Sequence, residues 1–148
     1  MNEMNGHDIE DLRPGQSATF SRTITEADIV LFAGVSGDNN AVHLNDEFAR
    51  TTAFGGRIAH GMLSASVISA AIANRLPGPG TVYLSQQLKF RAPVRPGDTV
   101  HATVEVVSVD LARSRAVLST TCRVRDQVVI DGEATVMATS SRQRAQAA

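Results

Sequence analysis

The chain has 148 residues, 43% hydrophobic and 20% charged, with a formal net charge of −1. That describes one globular domain with a real core, and leaves neither a basic face nor a basic run for nucleic acid or an anionic membrane. A single cysteine, Cys122, excludes an internal disulfide framework and a multi-cysteine metal site; the absence of Trp and the single Tyr argue against stacking on nucleobases. The N-terminus lacks the basic-then-apolar layout of a secretory signal, so a cytoplasmic location is expected.

Residues 1–13 are polar, lack periodicity and are expected to form a flexible tail ahead of a single domain over 14–139. Arg13-Pro14-Gly15-Gln16 signals a turn into a strand over Ser17–Ile24. Thr25 can cap a helix with acidic residues in its first turn and Ile29, Val30, Phe32 and Ala33 on its apolar face, ending near Gly34–Gly37. Gly37, Asp38, Asn39 and Asn40 are turn chemistry. On a helix Asp38 and His43 would point about 140° apart at ~3.6 residues per turn, whereas on an irregular loop they can converge. Asn45 then caps a short helix over Asp46–Arg50.

From Gly61 to Asn74 no charged side chain and no Pro occurs. Apolar residues on every side predict a helix buried all round, and an uncharged run of about 10–14 residues reads as a core helix rather than a membrane span. Pro77-Gly78-Pro79-Gly80 breaks it, and four strand-like runs follow. Val82, Leu84, Gln86, Leu88 and Phe90 share a face of the first, and Val100, Ala102, Val104 and Val106 line the second. Leu118, Thr120, Cys122 and Val124 line the third, then Val128, Ile130, Gly132, Ala134 and Val136 the fourth. Short links after Arg95, Asp110 and Arg125 favour antiparallel neighbours, and Gly132 in mid-strand suggests that another backbone, such as the central helix, comes close. Residues 140–148 read as a polar, flexible tail.

Two features together carry chemistry: the loop Ser36-Gly37-Asp38-Asn39-Asn40-Ala41-Val42-His43, and His60-Gly61-Met62 opening the apolar helix, with Ser64, Ser66 and Ser69 one to two turns in. Followed by Thr52-Ala53-Phe54, and later by Tyr83-Leu84, Pro93-Val94 and Gly97-Asp98, they make the chain resemble the MaoC-like dehydratases, in particular the (R)-specific enoyl-CoA hydratases, from about Thr19 to Met137. Ala41 stands where that family usually has Pro, and Asn45 where it often has an acid. Losing Pro loosens the loop by up to about 1 kcal/mol, and neither change removes a catalytic group.

The resemblance implies an α+β hot-dog fold, in which an antiparallel sheet wraps a long central helix. It also implies reversible addition of water to a trans-2-enoyl-CoA to give an (R)-3-hydroxyacyl-CoA. That reaction needs a base for water, an acid for Cα and a donor for the enolate oxygen. Asp38 and His43 are then the catalytic pair, and the Gly61 N–H at the positive helix end is the oxyanion donor. Asn40 and Ser69 orient the site. No metal is expected, nor any cofactor beyond the CoA of the substrate, and the partners are an acyl-CoA or acyl-carrier thioester and a second copy in a homodimer.

Each residue also has a plainer reading. Asp38 and Asn40 alone are turn formers, His43 and His60 structural histidines, Gly61 a tight helix start and Ser69 a hydroxyl bonded to its own helix. Arg57, Arg91 and Arg95 could meet CoA phosphates or simply be solvated, and Cys122 packs as a core hydrophobe. Two other functions fit the fold. A hot-dog thioesterase would usually carry a carboxylate on or near the central helix, and none lies in residues 61–74. A non-catalytic acyl-CoA or acyl-carrier binding module or subunit would not need the Asp38/His43 pair.

Overall fold

A computed structural model describes Gly6–Ala148. Strand β1 (Ser17–Thr23) leads to helix α1 (Glu26–Ser36), two short helices α2 (Ala41–Leu44) and α3 (Asp46–Arg50), and the central helix α4 (Gly61–Asn74). Strands β2 (Val82–Phe90), β3 (Thr99–Asp110), β4 (Arg115–Val124) and β5 (Gln127–Met137) and the terminal helix α5 (Ser141–Ala147) complete the chain. The five strands form one antiparallel sheet in the order β1-β3-β4-β5-β2.

Period-two alternation builds its inner face. Val100, Ala102, Val104, Leu118, Cys122 and Val136 are all fully buried, and α4 packs against β3, β1 and β4. Ala65, Val67, Ile68, Ala71 and Ile72 are the helix side of this core. Each aliphatic side chain so buried is worth about 1.5–3 kcal/mol over exposure, so this one seam dominates the stability of the domain.

Four expectations are corrected. The central helix is not buried all round: Met62, Ser66, Ser69 and Ala73 are exposed, because the sheet reaches it from one side only. The link through Arg95 does not join sheet neighbours, since β2 pairs with β5 and not with β3. The regular inward face expected of β2 is lost: a register shift between Tyr83 and Ser85 interrupts the alternation, and as an edge strand it leaves Val82, Leu84 and Phe90 at least 40% exposed. What crowds Gly132 is not the helix but this strand, because a Cβ there would meet the Gln87 carbonyl at 1.8 Å.

The reading of both ends as flexible tails is corrected too; its first five residues lie outside the described ones. Ile9–Asp11 form a 3₁₀ turn that buries Ile9 and Leu12, and Asp8 bridges to Thr139. Ser140 caps α5, and Arg144 pairs with Asp8 at 2.6 Å. Two buried apolar side chains, the Asp8–Arg144 ion pair and the hydrogen bonds from Thr139 to Asp8 and from Ser140 to Glu10 outweigh the polar composition of both segments.

Candidate active site

Helix α1 starts on a Thr25–Asp28 capping box and stops at Gly37, whose φ of +79° suits glycine. Its end is held by Ser36, whose Oγ donates to the Phe32 carbonyl and accepts from the Asp38 N–H. The Asp38 carboxylate accepts the Asn40 N–H at 3.2 Å, and the Asn40 side chain accepts the Val42 N–H at 3.1 Å as the cap of α2. Asn40 therefore ties the loop carrying Asp38 to the short helix carrying His43.

His43 is buried, and its Nδ1 lies 2.8 Å from the Ile58 carbonyl. A carbonyl only accepts, so Nδ1–H is the donor, and in the neutral tautomer Nε2 keeps its lone pair. His60 does the reverse: Nε2–H donates to the Asp38 carbonyl at 2.9 Å, leaving a buried Nδ1 without a partner among the described residues. The two imidazoles stack with centroids 3.8 Å apart and a 30° tilt, and Phe32 packs on His60 from 4.8 Å. His60 thus fixes both partners of the pair, holding the backbone of Asp38 and the ring plane of His43.

One ligand atom from each of Asp38, His43 and His60 lies within 4.8 Å of the others. These are metal-ligating side chains, and His60 joins them only through the fold. Metal binding needs lone pairs converging at about 2.0–2.1 Å, whereas stacked rings direct theirs side by side. The arrangement fits proton transfer better.

A cavity of about 600 Å³ opens beside the pair. Its polar lining includes Asp38, His60, Gly61 and Ser64, and Phe32, Phe54, Ile58, Phe90 and Ile130 make much of the wall apolar. Gly61 is the first residue of α4, whose cap His60 makes no side-chain cap bond, and no hydrogen bond uses the Gly61 N–H among the described residues. Free N–H groups at the positive end of a helix suit an oxygen that carries negative charge. A Cβ on Gly61 would come within 2.7 Å of the Phe90 ring.

The structure brings Asp38, Asn40, His43 and Gly61 together, and it does not bring Ser69 with them. Eight residues on from Gly61, Ser69 sits about 12 Å along the axis on the exposed side, away from the cavity. The helix serine at the cavity is Ser64, 1% exposed and with a hydroxyl that has no partner among the described residues. Of the three arginines, Arg57 is bound to Glu26 and Asp46, and Arg95 to the carbonyls of Phe54 and Gly56.

Comparison with known proteins agrees with this geometry. The profile of the MaoC like domain matches residues 11–128. The (R)-specific enoyl-CoA hydratase of Rhodospirillum rubrum is 56% identical over 131 residues, covering 88% of this chain and 91% of that protein. The 3-hydroxybutyryl-CoA dehydratase of Methylorubrum extorquens is 52% identical, covering 86% of this chain and 82% of its own. Among solved structures, the unliganded R-hydratase PhaJ1 of Pseudomonas aeruginosa superposes with a TM-score of 0.87 at 45% identity, over 93% of this chain and 89% of that one. Fold, pair, helix start and relatives coincide: the chain has the hot-dog fold and belongs to the MaoC-like domain family.

Proposed function

We propose that the protein is an (R)-specific enoyl-CoA hydratase, a hydro-lyase that adds water reversibly to trans-2-enoyl-CoA. The observation that carries the mechanism is the pairing of Asp38 with a His43 whose Nδ1 is tied to the Ile58 carbonyl. An ionised Asp38 and the bare Nε2 of His43 are both acceptors. A water donating to two acceptors at ~2.8 Å each spans them when they are about 4.5 Å apart, and points its oxygen lone pairs at a third atom. That atom is Cβ of the enoyl group.

With the thioester oxygen at the Gly61 N–H, the C–O bond forms at Cβ as one water proton passes to the pair. The π electrons move onto the thioester oxygen as an enolate. The enolate then collapses and Cα takes that same proton from the same face. The water supplies both its OH and its proton, and the pair ends as it began. Nothing in this sequence of steps calls for a metal or an organic cofactor beyond the carrier. Helix α4 offers no carboxylate for direct thioester hydrolysis.

The assembly we propose is a homodimer, supported by the apolar edge of β2 and the uncharged outer face of α4, both exposed in the single chain. The location we propose is the cytoplasm; among the described residues no helix is long and apolar enough to cross a membrane.

The test is loss of enoyl absorbance from crotonyl-CoA for wild type, Asp38→Asn and His43→Gln. Turnover by wild type and a fall of at least 100-fold in each folded variant support the assignment. Release of free thiol would make the protein a thioesterase, and binding without turnover would make it a carrier-binding module.

A further inference from the structure

We propose that Arg91 binds the phosphate ester at the end of the pantetheine arm, the group that coenzyme A and the acyl-carrier prosthetic group share. The inference rests on the hydratase reading and names how that site takes hold of its carrier. On that reading the thioester oxygen sits at Gly61, and the cavity that holds Gly61 also carries Arg91, so the carrier leaves the site past this side chain.

Arg91 belongs to the cavity wall and is the one Arg or Lys side chain in it among the described residues. It follows the last residue of β2, and its own N–H and that of Ala92 donate to the Val129 carbonyl at 2.8 and 3.3 Å, so the base of the side chain is fixed. The side chain is 50% exposed. Only Nε is engaged, by Asp131 at 3.2 and 3.3 Å, and no hydrogen bond involves either Nη among the described residues. Arg57, by contrast, uses Nε, Nη1 and Nη2 on two acids, and Arg95 uses both Nη groups on loop carbonyls.

The free edge of a guanidinium is a two-pronged donor matched to two phosphate oxygens. The contact with Asp131 is half-exposed and therefore weak, so it leaves the side chain free to turn its two Nη groups to a phosphate.

The test measures kcat and KM for the same enoyl group on pantetheine, 4′-phosphopantetheine, coenzyme A and acyl carrier protein, with wild type, Arg91→Gln and Arg91→Lys. The expected result is about a tenfold loss of kcat/KM in Arg91→Gln on the phosphorylated carriers, mostly in KM, with pantetheine unchanged. Arg91→Lys should recover part of the loss. Loss with coenzyme A alone or with acyl carrier protein alone, accompanied by loss with phosphopantetheine, supports the contact and identifies the carrier. Equal loss on all four, no loss on any, or loss with coenzyme A but not with phosphopantetheine overturns it. If wild type turns over none of the four, it is the hydratase reading that fails.

Discussion

At Gly61 the site depends on a missing methyl. A side chain there would meet the Phe90 ring at 2.7 Å, and that ring is 53% exposed at the cavity wall, so it can swing aside. Gly61→Ala is therefore expected to fold with little loss of stability while filling the place where the thioester oxygen must sit. A fall in kcat/KM of roughly 100-fold, as a misplacement of about 1 Å produces, with an unchanged unfolding midpoint would show this. Ser64 presents the opposite case, a buried hydroxyl with no hydrogen bond among the described residues to offset its desolvation. Ser64→Ala removes the cost of an unsatisfied buried group and places the best helix former in α4, so urea unfolding should show a gain of about 1 kcal/mol. The roles of these two residues were unequally legible. Gly61 stood out because His-Gly-Met opens an uncharged run. Ser64 could not be chosen over Ser69, because a helix with apolar residues on every side has no stripe from which to read its rotation against the sheet.

At the scale of elements, the loop from Ser36 to His43 works because each polar side chain closes on the backbone a few residues away. Asn40 is the joint, with its N–H on Asp38 and its Oδ1 on Val42. Asn40→Ala loses the cap of a four-residue helix, which costs about 1 kcal/mol and leaves α2 unable to hold His43. The expected signature is a drop in kcat of about tenfold or more, with Asn40→Asp recovering most of it because Asp caps as well as Asn. Full activity in Asn40→Ala would show that the Ile58 carbonyl alone positions His43. Local chemistry of this sort is visible in sequence, as are the Thr25 box and the alternation in β3 and β4. The tautomer of His43 and its stack on His60 are not, since they depend on residues 15 and 17 positions away that only the fold brings alongside. In β2 the obstacle was different: a bulge at Tyr83/Ser85 changes the phase within the strand, so strict alternation misassigns its faces.

For the whole molecule, the segment Asp8–Leu12 and the C-terminal segment from Thr139 to Arg144 close on each other. Their polar composition hid this, because among the described residues of these segments the buried apolar anchors are Ile9 and Leu12 and the rest is charge and capping. Glu10 accepts from the Ser140 hydroxyl at 2.6 Å and from the Ser141 N–H at 3.2 Å, and Asp8 takes a bidentate pair from Arg144 at 2.8 and 2.6 Å. Those hydrogen bonds hold the Glu10 carboxyl down at about 2 against an ordinary 4.5, and the Arg144 contact lowers Asp8 as well. A depressed carboxyl stabilises the docked state fully above its unfolded value, and the contribution disappears as pH falls through the folded one. Docking of α5 should thus weaken between about pH 4.5 and pH 2. The core, held by apolar burial, should not weaken with it. Amide resonances of Arg142–Ala147 should move and lose hydrogen-exchange protection over that window while those of β3 and β4 stay protected. Glu10→Gln should weaken docking at neutral pH. Helix α5 amides that keep their protection down to pH 2 would show that the hydrophobic contacts of Ile9 and Leu12 hold the terminal segments together without the carboxylates.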